Sequence, residues 1–405
     1  MRDLFNKKFL FLWLSQLFCQ YADKFFIYVL LIKISEITGQ SGLGVGLAAV
    51  AYGLPGILLS PIAGLIIDYL NRKFVLAITN FSRAGVILLV VLFPVFYQSF
   101  PLLFIATLIN SSFEKFFIPA EVSSLPLIVK HKHLVHANSL FVITFYSSFV
   151  VAFGIAAPIV SLINFQFLLW ISVAMYLIAG LFVLFIHFPD VHIRHKAFHP
   201  LHAFKDLLLG FKFIAKEFSM YFSLIVTFLI SSIFSAISIQ GIVYANKVLG
   251  LSQESFGYLV AAGGGGMIVG IIFINIFHYH IKRGALICSG LVFAGIFLSL
   301  FSRVTHFAYA ATFLFLGGIG IAIVLINLQT LFQHHPPHHM LGRIMSTYNM
   351  TINSALAFAP LFIGHVVDLY GGTALAYQNT FYLLALFTLA MGVVGFLMPR
   401  YRIIS

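Results

Sequence analysis

Polar side chains along this chain are confined to short breaks between long apolar runs. Read from the N-terminus, the runs fall at 9–34, 43–68, 74–97, 101–128, 136–162, 164–188, 218–246, 254–280, 284–303, 306–333, 343–368 and 377–399. A helix needs about 20 such residues to cross the hydrocarbon core of a bilayer, and each run supplies them. None alternates with period two, as the roughly 10-residue strands of a membrane barrel would. The pattern therefore predicts twelve transmembrane helices. One break is long, 189–217, and it divides the chain into six spans (1–188), a linker (189–217) and six more spans (218–405).

Composition fits this picture. Of 405 residues 61% are hydrophobic and 8% charged, with mean hydropathy +1.04, whereas soluble domains carry about 25% charged residues. Cytoplasmic loops retain Lys and Arg, and here one set of loops holds Arg2, Lys7, Lys8, Arg72, Lys73, Lys130, Lys132, Arg194, Lys196, Lys205, Lys212, Lys216, Lys282, Arg283, Arg343, Arg400 and Arg402. The opposite side holds only Lys33, Lys247 and Arg303. Both termini are thus expected in the cytoplasm. The net charge of +12 suits anionic inner-leaflet lipid and gives no reason to invoke nucleic acid. The basic, then apolar, N-terminus lacks a small-residue cleavage site and reads as a retained first span. Cys19 and Cys288 lie inside spans, so no disulfide framework is implied.

The halves look related. "SSLPLIVKHKHLVHANS" (123–139) aligns with "TLFQHHPPHHMLGRIMS" (330–346), each joining a fourth span to a fifth, and Arg72-Lys73 correspond to Lys282-Arg283. Parallel six-span repeats with a site near the midplane are a transporter plan. The stretch "GLIIDYLNRK" (64–73) resembles the loop signature of the major facilitator superfamily, matching at Gly64, Asp68, Arg72 and Lys73, with Asn71 where a second Gly is usual. "PAEVSSLPLIVKHKHLVHANSL" (119–140) and "LGLSQESFGYLVAAGGGGMIVG" (249–270) are similar to that superfamily's efflux branch, which includes drug, siderophore and lysophospholipid exporters. The resemblance implies an all-α polytopic membrane protein of two pseudo-symmetric six-helix bundles in the bacterial inner membrane. It also implies that Asp68, Arg72 and Glu121 form a cytoplasmic gate motif with Gly64 and Lys73. The alternative for those charges is topology plus a surface salt bridge worth under about 1 kcal/mol.

Five ionisable groups are expected near the bilayer centre. Asp23 and Lys24 lie roughly 21 Å into span 1, Glu114 and Lys115 roughly 20 Å from the end of span 4, and Arg83 about 14 Å into span 3, at about 1.5 Å per residue. Such groups cost several kcal/mol in lipid unless they meet a partner or a wet cavity. We read Asp23 with Arg83, and Glu114 with Lys24 or Lys115, around a cavity where a desolvated acid binds and releases a proton. A fixed ion-pair network joining spans 1, 3 and 4 is the alternative, and Arg83 also suits an anionic substrate. An acid in span 1 with a base in span 3 is what the resemblance implies as well. In the second half only polar side chains are available to the cavity: Gln240, Tyr244, Asn327, Gln329, Asn349 and Asn353, most of them expected to pack helices. Gly263–Gly266 lack the strand and Lys-Ser/Thr of a phosphate loop and read as close helix packing.

Many of the 16 His cluster in the loops: "HKHLVH" (131–136), "HIRHKAFHPLH" (192–202), "HYH" (278–280) and "HHPPHH" (334–339). His335, His338 and His339 spell H-x-x-H-H, and His195 and His199 H-x-x-x-H, spacings that suggest a His-box membrane metalloenzyme. Twelve duplicated spans argue against it, and no cofactor or metal is expected. The expectation is a non-enzymatic, monomeric secondary transporter exporting an amphipathic small molecule against protons, with a lysophospholipid flippase as the rival.

Overall fold

The computed structural model describes residues 6–67, 70–130, 133–188, 200–277, 282–334, 337 and 340–398. These residues form helices and no strand, as the bilayer demands, since each peptide group there must find its hydrogen bond within its own segment. In order they are α1 (Lys7–Ile37), α2 (Gly42–Ile67), α3 (Arg72–Leu92), α4 (Val95–Gln98), α5 (Phe100–Ile128), α6 (Leu134–Leu162), α7 (Phe165–Leu184), α8 (Pro200–Lys216), α9 (Phe218–Lys247), α10 (Phe256–Phe277), α11 (Arg283–Phe301), α12 (Phe307–His334), α13 (Leu341–Leu369) and α14 (Ala374–Leu397). Eleven are long and apolar enough to span a membrane. The twelfth is α1, whose 31 residues reach about 46 Å and whose apolarity is diluted by Gln16, Gln20, Asp23 and Lys24.

Two departures from the apolar runs have local causes. The third run stops early because Phe93 precedes Pro94 and takes extended dihedrals (φ −114, ψ 100), as a residue before proline is driven to do; the single turn α4 follows. Part of the long break is the helix α8. Its Leu208, Leu209 and Phe211 are exposed, and Lys212 and Lys216 are exposed beside them.

The chain forms two compact units: Met1–Lys33 with Ala51–Phe204, and Ile34–Val50 with Lys205–Ser405. In the first, α3 packs between α5 and α7. In the second, α12 packs on α10 and α11, and α9 on α13. The glycine run of α10 allows the α10–α12 contact. A Cβ at Gly266 would strike the carbonyl of Phe315, and one at Gly318 the carbonyl of Gly263.

The second unit also contains the end of α1 and the start of α2. Asp368 near the end of α13 caps α2, accepting from the Ser41 hydroxyl (2.7 Å) and from the N–H groups of Gly42 (3.0 Å) and Leu43 (2.9 Å). Those N–H groups have no partner inside their own helix. Gln240 of α9 donates to the carbonyls of Gly42 (2.7 Å) and Pro360 (2.8 Å). Pro360 lacks an N–H for the carbonyl of Leu356 four residues earlier, and the Ser235 hydroxyl supplies the missing donor at 2.9 Å.

Candidate functional site

The ionisable side chains at mid-span gather within the first unit. Asp23 on α1 is fully buried. Its Oδ1 accepts from Nη2 of Arg83 on α3 in an ion pair and also from the hydroxyl of Tyr176 on α7. Arg83 donates in addition to Sγ of Cys19 (3.1 Å), one turn before Asp23, and its guanidinium lies 4.5 Å from the Tyr176 ring centroid. Asp23 Oδ2 and Arg83 Nε have no hydrogen-bond partner among the described residues. Three helices thus converge on one carboxylate, which is half satisfied.

A second pair lies on α5. Glu114 accepts from Nζ of Lys115 (3.1 Å) through Oε2 and from the hydroxyl of Tyr52 on α2 (3.1 Å) through Oε1. The Lys115 ammonium sits 5.1 Å from the Tyr52 ring, and the Tyr52 carbonyl accepts from Ser111. Successive helix residues do not face one another, so Lys115 must fold back along α5 to reach its neighbour. Lys24 joins neither pair. It is 1% exposed, its Nζ has no hydrogen-bond partner among the described residues, and it stands over the rings of Phe149 (4.6 Å) and Phe145 (5.1 Å) on α6.

The residues of the loop signature are placed only in part. Gly64 belongs to α2 and Asp68 lies outside the described residues. Arg72 and Lys73 open α3 and are half-buried. Asn71 caps that helix, its Oδ1 accepting from the N–H groups of Lys73 (3.0 Å) and Phe74 (3.3 Å). An Asn in that role is a standard helix start, which accounts for its presence where the signature has glycine. Glu121 is 3% exposed, seven residues inside the end of α5, and its Oε1 is unpartnered among the described residues.

Four of the second unit's polar candidates make hydrogen bonds within that unit. Gln240 ties α2 to α13 as above, and accepts from Tyr377 at 3.3 Å. Tyr244 donates to the carbonyl of Phe301 (3.1 Å) and stacks on its ring. Asn327 and Asn353 donate to carbonyls of their own helices, those of Ile323 and Asn349 (both 2.8 Å). Gln329 and Asn349 are exposed. Of the histidine boxes, His195, His199, His335, His338 and His339 lie outside the described residues. Among the described residues no group of three His, Cys, Asp or Glu is placed to hold a metal.

Tyr52, Tyr176, Phe145 and Phe149 are the participants that the sequence alone did not bring forward. Their signal was faint, a tyrosine hydroxyl inside an apolar span being a polar group that needs a partner.

A profile described as Major Facilitator Superfamily matches residues 12–360. The chain belongs to the major facilitator superfamily. It is 22% identical over 380 residues to the uncharacterized transporter YfiS of Bacillus subtilis, covering 89% of this chain and 85% of that one. To YkuC of the same organism, also uncharacterized, it is 25% identical over 357 residues, covering 80% and 79%. A crystal structure of a point mutant of the nucleoside transporter NupG superposes with TM-score 0.79 at 15% identity, covering 97% of this chain and 100% of that one. That likeness is one of fold. The protein is therefore a multi-pass membrane transporter of this superfamily.

Proposed function

We propose that this major facilitator transporter exchanges protons for an amphipathic small molecule across a bacterial plasma (inner) membrane, exporting the molecule, with Asp23 as the proton carrier. One observation carries this reading. Asp23 is buried at mid-span with Oδ1 shared by Arg83 and Tyr176, while Oδ2 is without a partner among the described residues. A proton added at Oδ2 neutralises the carboxylate and weakens its attraction to Arg83 without displacing either donor first. Because Arg83 is on α3 and Tyr176 on α7, the change in one proton is felt by three helices. Glu114, held by Lys115 and Tyr52 through both oxygens, offers no vacant oxygen of this kind.

The test is transport in proteoliposomes under an imposed pH gradient, with a panel of amphipathic compounds. Wild type is expected to move at least one compound faster when protons flow down their gradient in the opposite direction, and Asp23→Asn to lose the gradient dependence. Gradient-dependent transport that survives in Asp23→Asn would overturn the assignment of Asp23.

A further inference from the structure

The charges of the mid-span layer do not cancel. Of the five mid-span groups, Asp23 is matched by Arg83, and Glu114 by Lys115, leaving the ammonium of Lys24; the other buried acid, Glu121, sits two turns further along α5. Although Asp23 and Glu114 act on Lys24 through space, neither hydrogen-bonds to it: Glu114 uses both oxygens elsewhere, and Asp23, whose Oδ2 is open, is the adjacent helix residue and points to a different side of α1. An ammonium removed from water without an acceptor is costly. Two aromatic faces offset that cost only in part, since a cation over a ring is the weaker interaction. What the ammonium lacks is a hydrogen-bond acceptor bearing negative charge.

The surroundings say what else such an acceptor carries. Phe149 and Phe145 cover Lys24 from α6, and Phe149 stacks on Phe153 (5.9 Å), which meets Tyr28 of α1 edge-on (5.7 Å). Whereas Lys24 is 1% exposed, Phe145 and Phe149 are half-buried, so the rings form the approachable side of the site. A ligand entering there meets aromatic surface first and a cation beneath it. Gln20, one turn before Lys24 on α1, adds a buried carboxamide whose Oε1 is unpartnered among the described residues.

We propose that Lys24 with Phe145 and Phe149 is a binding site for the anionic group of an amphipathic substrate, a carboxylate, sulfonate or phosphate attached to an apolar or aromatic body. This deepens the transport reading above and rests on it for the direction of use, but not for the binding itself. The anionic group hydrogen-bonds to the ammonium and the body lies on the phenyl rings. Two sources share this chemistry, a soluble organic anion and a lysophospholipid.

Binding to the full chain in nanodiscs tests it, using matched charged and uncharged probes. One pair is 1-naphthaleneacetate and 1-naphthaleneacetamide; the other is lysophosphatidylglycerol and an uncharged monoacylglycerol of the same chain length. Wild type is expected to prefer the charged member of at least one pair about tenfold or more, as a buried charge-assisted hydrogen bond would give. Lys24→Met should abolish that preference while leaving the uncharged probe's affinity unchanged, and Lys24→Arg should retain it. A preference confined to the lipid pair names a lysophospholipid as the source, and one seen with the naphthalene pair names a soluble anion. No preference in either pair, or a preference that survives in Lys24→Met, overturns the proposal. Thermal melting of each variant excludes misfolding, and Lys24→Arg keeps the test decisive if Lys24→Met fails to fold. The same titrations in Asp23→Asn separate the two readings, since loss of proton coupling with the anion preference intact refutes only the coupling assignment.

Discussion

Asp23 and Lys24 are neighbours in sequence and opposites in circumstance. Asp23 has a cation and a phenol on one oxygen; Lys24 has rings and, among the described residues, no acceptor. Removing one member of a buried ion pair strands the other charge, at a cost of about 3–5 kcal/mol. Arg83→Gln is therefore expected to lower the melting temperature of the detergent-solubilised protein sharply, and Asp23→Asn combined with Arg83→Gln to recover most of the loss. Equal destabilisation by the single and double variants would mean that the pair contributes through shape alone. Tyr176→Phe removes one donor and leaves the cation, so a loss of about 1–3 kcal/mol is expected, read by the same melting experiment. Asp23 with Arg83 could be read from the sequence because charges inside apolar runs are conspicuous. Tyr176 could not, since its role depends on α7 lying beside α1 and α3, and nothing local to position 176 reports that neighbour.

At the scale of helices, the start of α2 is held by partners from two other helices, Asp368 of α13 and Gln240 of α9. The α2–α13 approach needs the absence of side chains: a Cβ on Gly42 would lie 2.8 Å from the Tyr377 hydroxyl and 2.9 Å from the Gly364 carbonyl, and one on Gly364 would collide with the carbonyl of Gly42. Gly364→Ala is accordingly expected to separate α2 from α13 and to lower the melting temperature, because the obstructing atoms are backbone. An unchanged melting temperature would show that the helices slide without penalty. Asp368→Asn keeps an acceptor at the α2 cap but loses its charge, and should cost less, about 0.5–2 kcal/mol as for helix caps generally. The helices themselves were legible from apolar runs; in the structure Asn71, Asn164 and Thr373 each accept from a nearby N–H just inside the next helix. The cap from Asp368 was not, since it comes from a distant part of the chain, 326 residues from Gly42.

Over the whole molecule, the apolar runs carried the class, because the bilayer permits so few architectures. The grouping of Ile34–Val50 with Lys205–Ser405 was not legible, since a six-and-six division of the apolar runs assigns that segment by order along the chain. The five mid-span charges can be counted in sequence, but only the structure shows that Lys24 stands outside both ion pairs. The distribution of Lys and Arg leads us to expect both termini in the cytoplasm; reporter fusions at either end should be active only if they fold there, and a periplasm-active fusion at one end would require an odd number of spans. The role of Asp23 as proton carrier is tested most directly by proton release from the purified protein in detergent when an amphipathic ligand binds. Wild type should release protons when ligand binds, and Asp23→Asn none. Release of the same size from Asp23→Asn, with ligand affinity preserved, would contradict the account and leave the Asp23–Arg83 pair a structural tie.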